Sequence, residues 1–530
     1  MNLFFLTLIP WLSYVVLITR RGLHMLQQNL YDNDLRYFKW IKNNLLKLFG
    51  GASLVPLLLL KGFFIYNISI IMFFFVLVYS LLFLKEFCLL KKEEYKKPLV
   101  ITARIKRLIM TTFLIYLILL FYIIFNFKDH KIPFFYNYFI ILGFFQYFLL
   151  MIVVRINIPL EKCVYYYYLN KAKRKIKGMP NLKVIGITGS YGKTSSKNIL
   201  SDILNIKYNA LATPKNLNTP YGLMISINNH LSKFEDIFIA EMGAYHQGEI
   251  KELCNIVYPK YGILTKIGEA HLELFGSKEI IQKTKFELIE SLPEDGIGVL
   301  NKDDKLQVNY PLKNRCRLLW IGIEEEEVDV LAKNIKINYQ GIKFDVLFKG
   351  DKKLYHFETK LLGYENVYNI LAGIALGYEF GLTKEELIMA VRMIKPIPHR
   401  LELKKIGDLH IIDDAYNSNP LGSKMALEVL KLMPGKKIIV TPGMIELGEK
   451  QEELNKEFGK QIALVCDEVI LIGKDQTKPI YEGLKIKKHP EKDIYILNDV
   501  KKAFSLLKKL KGKETYVLLE NDLPDIFSEE

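Results

Sequence analysis

Hydrophobic patterning changes character twice along the chain. Over roughly the first 160 residues the apolar positions form near-continuous runs. Four of these, Asn2 to Thr19, Asn67 to Leu84, Leu108 to Phe127 and Phe134 to Val154, approach the roughly 20 residues that a helix needs to cross a bilayer. Gly50 to Tyr66 is a fifth candidate, apolar except for Lys61, whose methylenes can stay in lipid while the ammonium reaches the interface. From Leu182 to Ile394 short apolar runs alternate with helical-period stretches, which predicts a parallel α/β sheet with a small insertion of strands around Val328 to Tyr355. A second α/β domain is expected from Pro396, with strands at Leu409 to Ile412, Lys437 to Thr441, Glu468 to Ile472 and Thr515 to Leu519. The expected domains are therefore a membrane region at 1–160, a basic linker at 161–181, and α/β domains at 182–395 and 396–530.

Charge refines the first region. The net charge of +16 could suit nucleic acid, lipid or phosphorylated substrates, but Lys and Arg crowd the first 180 residues between apolar runs. That is the pattern of loops flanking membrane helices, and no nucleic-acid partner is expected from it. Four crossings would put the basic Arg20 to Lys47 and Lys85 to Arg107 loops on opposite sides of the membrane. About five crossings with the N-terminus outside put both loops, and Lys171 to Lys177, in the cytosol. The expectation is a multi-pass inner-membrane protein whose remaining domains are cytosolic. The first segment lacks the basic start and small-residue cleavage site of a signal peptide. No intramembrane acid pair or broken-helix repeat points to a transporter, leaving a plain anchor or a region that recognises a lipid-linked substrate. The five cysteines are scattered without a CxxC pair, which fits reduced, structural thiols.

Candidate chemistry begins at the apolar run Lys183 to Thr188, which leads into Gly189-Ser190-Tyr191-Gly192-Lys193-Thr194-Ser195 and then a helical pattern from Ser196 to Leu204. Strand, glycine loop, lysine, hydroxyl and helix in that order surround phosphate oxygens with backbone N–H groups and a helix N-terminus. Lys193 can neutralise terminal phosphates and the Thr194 hydroxyl can bind magnesium. The loop is shorter than the common GxxxxGK[ST] form, which would need glycine at Ile187. Glu241 ends the apolar run Ile237 to Ala240; it is either a solvated strand-end acid or a magnesium ligand beside the loop.

Thr188 to Ser195 resembles the ATP loop of the Mur ligases, enzymes that add amino acids to bacterial cell-wall precursors. Further motifs follow in the family's order: Thr213 to Gly222, Glu241-Met242-Gly243 with Gly248-Glu249, Ala270 to Ser277, Lys285-Phe286-Glu287, Gly363 to Asn366 with Asn369, Pro398 to Glu402, Asp413 to Pro420 and Gly443 to Gly448. Among the branches the pattern is most similar to the one that adds D-Ala-D-Ala. The fold this implies is an α-helical membrane region followed by two α/β domains, a P-loop parallel-sheet ATPase domain and a C-terminal Rossmann-like domain.

The resemblance also implies a reaction. A carboxylate resists attack by an amine because oxide is a poor leaving group, so these ligases use ATP to make an acyl phosphate first. ATP, carboxylate and the transferring phosphoryl group are all anionic, so magnesium and cationic side chains must offset their repulsion. By resemblance, Gly189, Ser190, Gly192, Lys193, Thr194 and Ser195 bind ATP phosphates, Glu241 binds magnesium and His271 binds a second ion. Lys285, by the same resemblance, is carbamylated and so becomes an oxygen ligand. That modification needs a lysine whose pKa is lowered by burial or nearby cations. Asn366, Arg400 and Asp414 resemble the residues for adenine, phosphate and ribose, with Arg400 reaching Lys193 across a cleft between the domains. Tyr416, Asn417 and Asn419 are expected near the amine or nucleotide. The expected partners are ATP, a cell-wall precursor, an amino acid or dipeptide, and membrane lipid.

Two departures bear on specificity. Soluble Mur ligases begin with a small UDP-binding domain, whereas here membrane helices stand in that place, which raises the alternatives of a lipid-linked or non-muramoyl acceptor. Glu365 stands where the family has histidine, and Pro442-Gly443 where it has glycine-aspartate. A non-ligating nucleotide-binding membrane protein is the reading from another class, and Lys285 argues against it.

Overall fold

The computed structural model describes all residues except 1, 30, 60–67, 93–97, 127–131, 269–274, 408, 416–417, 446, 511, 513 and 522–530. The described chain divides into two compact units, one up to Tyr166 and one from Tyr167 onward.

The first unit is helical. Its long helices are Asn2–Gln28, Ile68–Lys92, Ala103–Asn126, Ile132–Phe144 and Gln146–Lys177, the last continuing into the second unit. Trp11, Ile18, Phe75, Tyr79, Tyr136 and Val153 belong to its core, and the Trp11 indole donates to the Phe139 carbonyl at 2.7 Å. Phe73, Leu81, Phe113, Ile118 and Phe121 nevertheless point outward. Helices apolar on both faces are what a lipid solvent permits. Among the described residues, Ser69–Lys91 and Ala103–Tyr122 are long and apolar enough to cross a membrane. Tyr136–Phe144 and Gln146–Lys177 make a third such span if the pair, bent by 76°, is taken as one. The expected Gly50 to Tyr66 segment begins as the short turns Gly51–Leu54 and Val55–Leu59, and the rest of it lies outside the described residues. Most of the stretch expected as a linker is helical, through Lys177. A buried ion pair that the apolar pattern did not reveal joins two helices: Arg21 Nη1 lies 2.8 Å from Glu86 Oε2.

The second unit holds two sheets, each covered by helices. In the first, β1 (Lys183–Thr188), β2 (Ala210–Ala212), β3 (Ile237–Glu241), β4 (Tyr261–Leu264), β5 (Ile297–Asn301) and β6 (Arg317–Gly322) are parallel. The expected insertion is a meander of β7 (Val330–Asn338), β8 (Gly341–Phe348) and β9 (Tyr355–Thr359) that extends the same sheet. The order is β2-β3-β1-β4-β5-β6-β7-β8-β9. Helices Lys193–Leu204 and Glu365–Glu379 pack Ile199, Ile203, Ile370 and Ile374 onto Ile185, Ile187 and Ile239 of the strands. Residues 237–241 read as a continuous apolar run because a central parallel strand is buried on both faces.

The second sheet contains β10 (Glu402–Ile406), β11 (Leu409–Asp414), β12 (Lys436–Thr441), β13 (Glu468–Ile472), β14 (Ile494–Leu497) and β15 (Thr515–Glu520), in the order β10-β11-β15-β12-β13-β14. Only β10 runs antiparallel. It and β14 were not legible as strands: β10 alternates half-exposed charged positions at an edge, and β14 is a short strand at the other edge.

Candidate active site

β1 sits between β3 and β4, so its C-terminal end faces the ends of both neighbours. The glycine loop leaves β1 there. Gly189 has φ +153°, and a Cβ on it would lie 1.9 Å from Thr265 Oγ1 just beyond β4. Gly192, the residue before the helix, has φ +80°, a left-handed conformation that suits glycine. The Ser190 and Tyr191 N–H groups donate to the Lys266 carbonyl at 2.9 and 3.3 Å, Ser190 Oγ donates to Gly268 O at 2.9 Å, and Thr265 Oγ1 donates to Tyr191 O at 2.6 Å. The loop is thus held by the segment after β4. Thr194 and Ser195 occupy the first turn of helix Lys193–Leu204, where unpaired N–H groups favour an anion.

Register explains Glu241. Ile187 and Glu241 are partners across β1 and β3, which sets the carboxylate beside the loop. Glu241 Oε1 accepts from Thr194 Oγ1 and from Asn218 Nδ2, both at 3.1 Å, and its backbone N–H donates to Thr213 Oγ1 at 3.2 Å. Lys197 Nζ lies 2.9 Å from Oε2. Lys193 Nζ donates to Gly189 O at 2.8 Å and Ser190 O at 3.2 Å. Burial lowers its pKa to about 8, with Glu241 opposing the shift and Arg400 adding to it.

Lys285 lies on helix Lys278–Glu290 and is 2% exposed. Burial first, and the Lys193 charge second, lower its pKa to about 7. Its Nζ is 3.5 Å from Ala244 O and 5.3 Å from the centre of the Phe275 ring. The next motif residue, Glu287, caps another helix: its carboxylate accepts the Gly248 and Lys251 N–H groups at 2.7 and 3.0 Å, at the start of helix Glu249–Val257. Burial raises the Glu287 pKa, and these two bonds oppose it.

From the other side come the C-terminal residues. Arg400, just before β10, is close enough for its charge to act on Lys193 and on Asp414. Asp414, at the end of β11, is pushed up to about 6 by burial against the opposing pull of Arg400. Glu520 is its register partner at the end of β15; burial and Asp414 raise it well above the usual carboxylate range. Asn366 donates to Leu362 O at 2.7 Å and accepts from Asn369 Nδ2 at 3.1 Å; Asn369 Oδ1 would lie 3.0 Å from a Cβ on Gly192. Asn419 caps helix Pro420–Leu432 by accepting the Gly422 N–H at 2.9 Å. Glu365, in the place of the family's histidine, pairs with Lys266 at 2.8 Å. His271, Tyr416 and Asn417 lie outside the described residues.

The sequence gives Lys197 and Glu520 no role, and Asn218 and Glu287 appear in it only as members of the motifs Thr213 to Gly222 and Lys285 to Glu287. Lys197 follows Thr194 at i+3 and so shares its helix face, which was a usable signal. The others depend on pairings between distant segments.

The chain matches the Mur ligase middle domain over residues 187–377 and the Mur ligase glutamate ligase domain over residues 399–520, more than half its length. It belongs to the Mur ligase family. UDP-N-acetylmuramoyl-tripeptide--D-alanyl-D-alanine ligases are among this Mur ligase's relatives: that of Bacillus subtilis is 34% identical over 59% of this chain and 66% of the relative, and that of Escherichia coli 31% over 55% and 65%. The chain thus spans just under two thirds of the length of these curated relatives. MurF ligase from Thermotoga maritima in complex with ADP superposes with a TM-score of 0.60 at 29% identity, over 68% of this chain and 80% of that one. MurF from Acinetobacter baumannii, 24% identical with a TM-score of 0.60 over 68% and 77%, shares the fold.

Proposed function

We propose that this Mur ligase is an ATP-dependent carboxylate–amine ligase that joins D-Ala-D-Ala, or a similar amine, to a cell-wall peptide precursor through an acyl phosphate. The observation that carries it is the convergence of Lys193, Thr194 and Glu241 at one strand end, within the matched middle domain. In this reading the glycine loop and helix N-terminus bind the phosphates of ATP, and Lys193 leaves its loop carbonyls for their oxygens. The acceptor carboxylate takes the terminal phosphoryl group, releasing ADP. The amine then attacks the acyl carbon, the C–N bond forms, phosphate leaves, and the amine gives up its proton. Arg400 supplies a planar donor from the far side.

The donor set fits magnesium. Among the described residues no group of three His, Cys, Asp or Glu forms a metal cluster. A hydroxyl and a carboxylate oxygen in contact, Thr194 and Glu241, are nevertheless hard donors of the kind magnesium uses together with phosphate oxygens and water. Bound there, magnesium would offset charge on the phosphates. Lys285, with its lowered pKa and its place near the Lys193 charge, is suited to carbamylation by carbon dioxide, which would turn it into a second oxygen ligand alongside His271.

The helical unit favours an acceptor delivered at a membrane. Among the described residues two helices there, or three with the bent pair, are long and apolar enough to span, and the family match begins only at residue 187. We read this unit as a multi-pass anchor with the ligase domains cytosolic; an external signal from a reporter fused after Lys171 would refute that topology. Function is tested by incubating detergent-solubilised protein with ATP, magnesium, dipeptides, and both UDP-linked and lipid-linked muramoyl peptides. Acceptor-dependent ADP release with amide formation is expected, whereas acceptor-independent hydrolysis without amide product would sink the ligase reading.

A further inference from the structure

Lys197 is 1% exposed, one helical turn beyond Thr194. Besides its 2.9 Å pairing with Glu241 Oε2, its Nζ donates to the Lys215 carbonyl. Lys215 has a left-handed φ of +49° in the loop from Thr213 to Thr219, the same loop that offers Thr213 Oγ1 and Asn218 Nδ2 to Glu241. One ammonium therefore ties together the phosphate-loop helix, this loop and the end of β3. Burying an ammonium is unfavourable unless a partner and hydrogen bonds compensate, and apolar residues would fill the space at lower cost. The two oxygens of Glu241 thereby become unequal: Oε2 faces Lys197, and Oε1 faces Thr194 and Asn218.

We propose that Lys197 is a positioning residue that limits Glu241 to presenting the single oxygen Oε1 beside the Thr194 hydroxyl, and so favours magnesium over larger divalent cations. The inference rests on the reading of Thr194 and Glu241 as metal ligands. Magnesium demands near-octahedral geometry with few protein oxygens, whereas calcium accepts a carboxylate through both oxygens in a looser shell. Releasing Oε2 would open the bidentate mode.

The test uses the full-length protein in detergent with a non-hydrolysable ATP analogue. Bound Mn2+ is followed by electron paramagnetic resonance while Mg2+ or Ca2+ displaces it. In Lys197→Met and Lys197→Gln the ratio of the two displacement constants should move toward calcium by about 10-fold or more. Lys197→Arg, which keeps charge and reach, should retain the original ratio. An unchanged ratio in either folded, uncharged variant overturns the proposal. So does failure of both to fold, which would make Lys197 a structural counter-charge. A natural chain that binds no Mn2+ would remove the Thr194–Glu241 reading as well, and that result is visible before any substitution is made.

Discussion

The Lys193 ammonium donates to the Gly189 carbonyl at 2.8 Å, closing its side chain over the loop from which it starts. The same cation is pressed by burial and by Arg400, so it is available to any anion that replaces those carbonyls. Lys193→Ala should reduce turnover by about 100- to 1000-fold, the range for losing one transition-state donor. It should also weaken ATP binding in calorimetry; a variant with ordinary nucleotide affinity and rate would contradict the phosphate role.

Lys285 makes stability depend on pH with a defined sign. Its pKa falls from the ordinary lysine value of 10.5 when unfolded to about 7 when folded. Between these values the unfolded chain holds the extra proton, so stability rises with pH, and below about 7 the full penalty of burying the charge is present. In carbonate-free buffer the slope of unfolding free energy from pH 7 to 9 should exceed that of Lys285→Met by about 1 kcal/mol per pH unit. Parallel slopes would contradict the depressed value.

Separately, Lys285→Ala should cripple ligation while leaving ATP binding intact. Added bicarbonate should raise the activity of the natural chain and not of the variant. A fully active Lys285→Ala protein would exclude a metal-binding role for this side chain.

Gly189→Ala tests the loop's rigidity. The new Cβ would meet Thr265 Oγ1 at 1.9 Å in a backbone conformation that L residues rarely adopt. A loss of about 1–3 kcal/mol is expected in denaturant unfolding. Thr265→Ala/Gly189→Ala should recover part of it, since the oxygen in the way is then gone.

In the helical unit, Glu86→Ala would remove the carboxylate that faces Arg21, and both side chains are under 10% exposed. A loss of about 3–5 kcal/mol is expected on breaking such a pair, and Arg21→Met/Glu86→Leu should restore most of it. Unfolding in mixed micelles would show whether the single variant and the double variant differ in that direction.

Part of this site is legible in the sequence alone. The phosphate loop could be read because its chemistry is local: glycine at positive φ, a lysine and a hydroxyl at the head of a helix all lie within seven consecutive residues, Gly189 to Ser195. β3 and β12 are legible as strands because their buried stretches are continuously apolar, whereas edge strands β10 and β14 escape because none of their positions is buried. The apolar runs likewise mark the helical unit, but Arg21 and Glu86 read as charges of the Arg20 to Lys47 and Lys85 to Arg107 loops, and only packing joins them.

What is determined along the chain alone is the order of the parts and the residue types of the glycine loop and the motifs after it, since both follow from neighbours in sequence. Tertiary structure decided how those groups behave. Parallel register carries Glu241 to the Thr194 hydroxyl, and Lys197 then divides its two oxygens. Burial beside Lys193 turns Lys285 from an ordinary surface-type lysine into one with a pKa of about 7, and Arg400, just before β10, acts on Lys193. Desolvation and through-space charge depend on what surrounds a residue in three dimensions, which no linear spacing records.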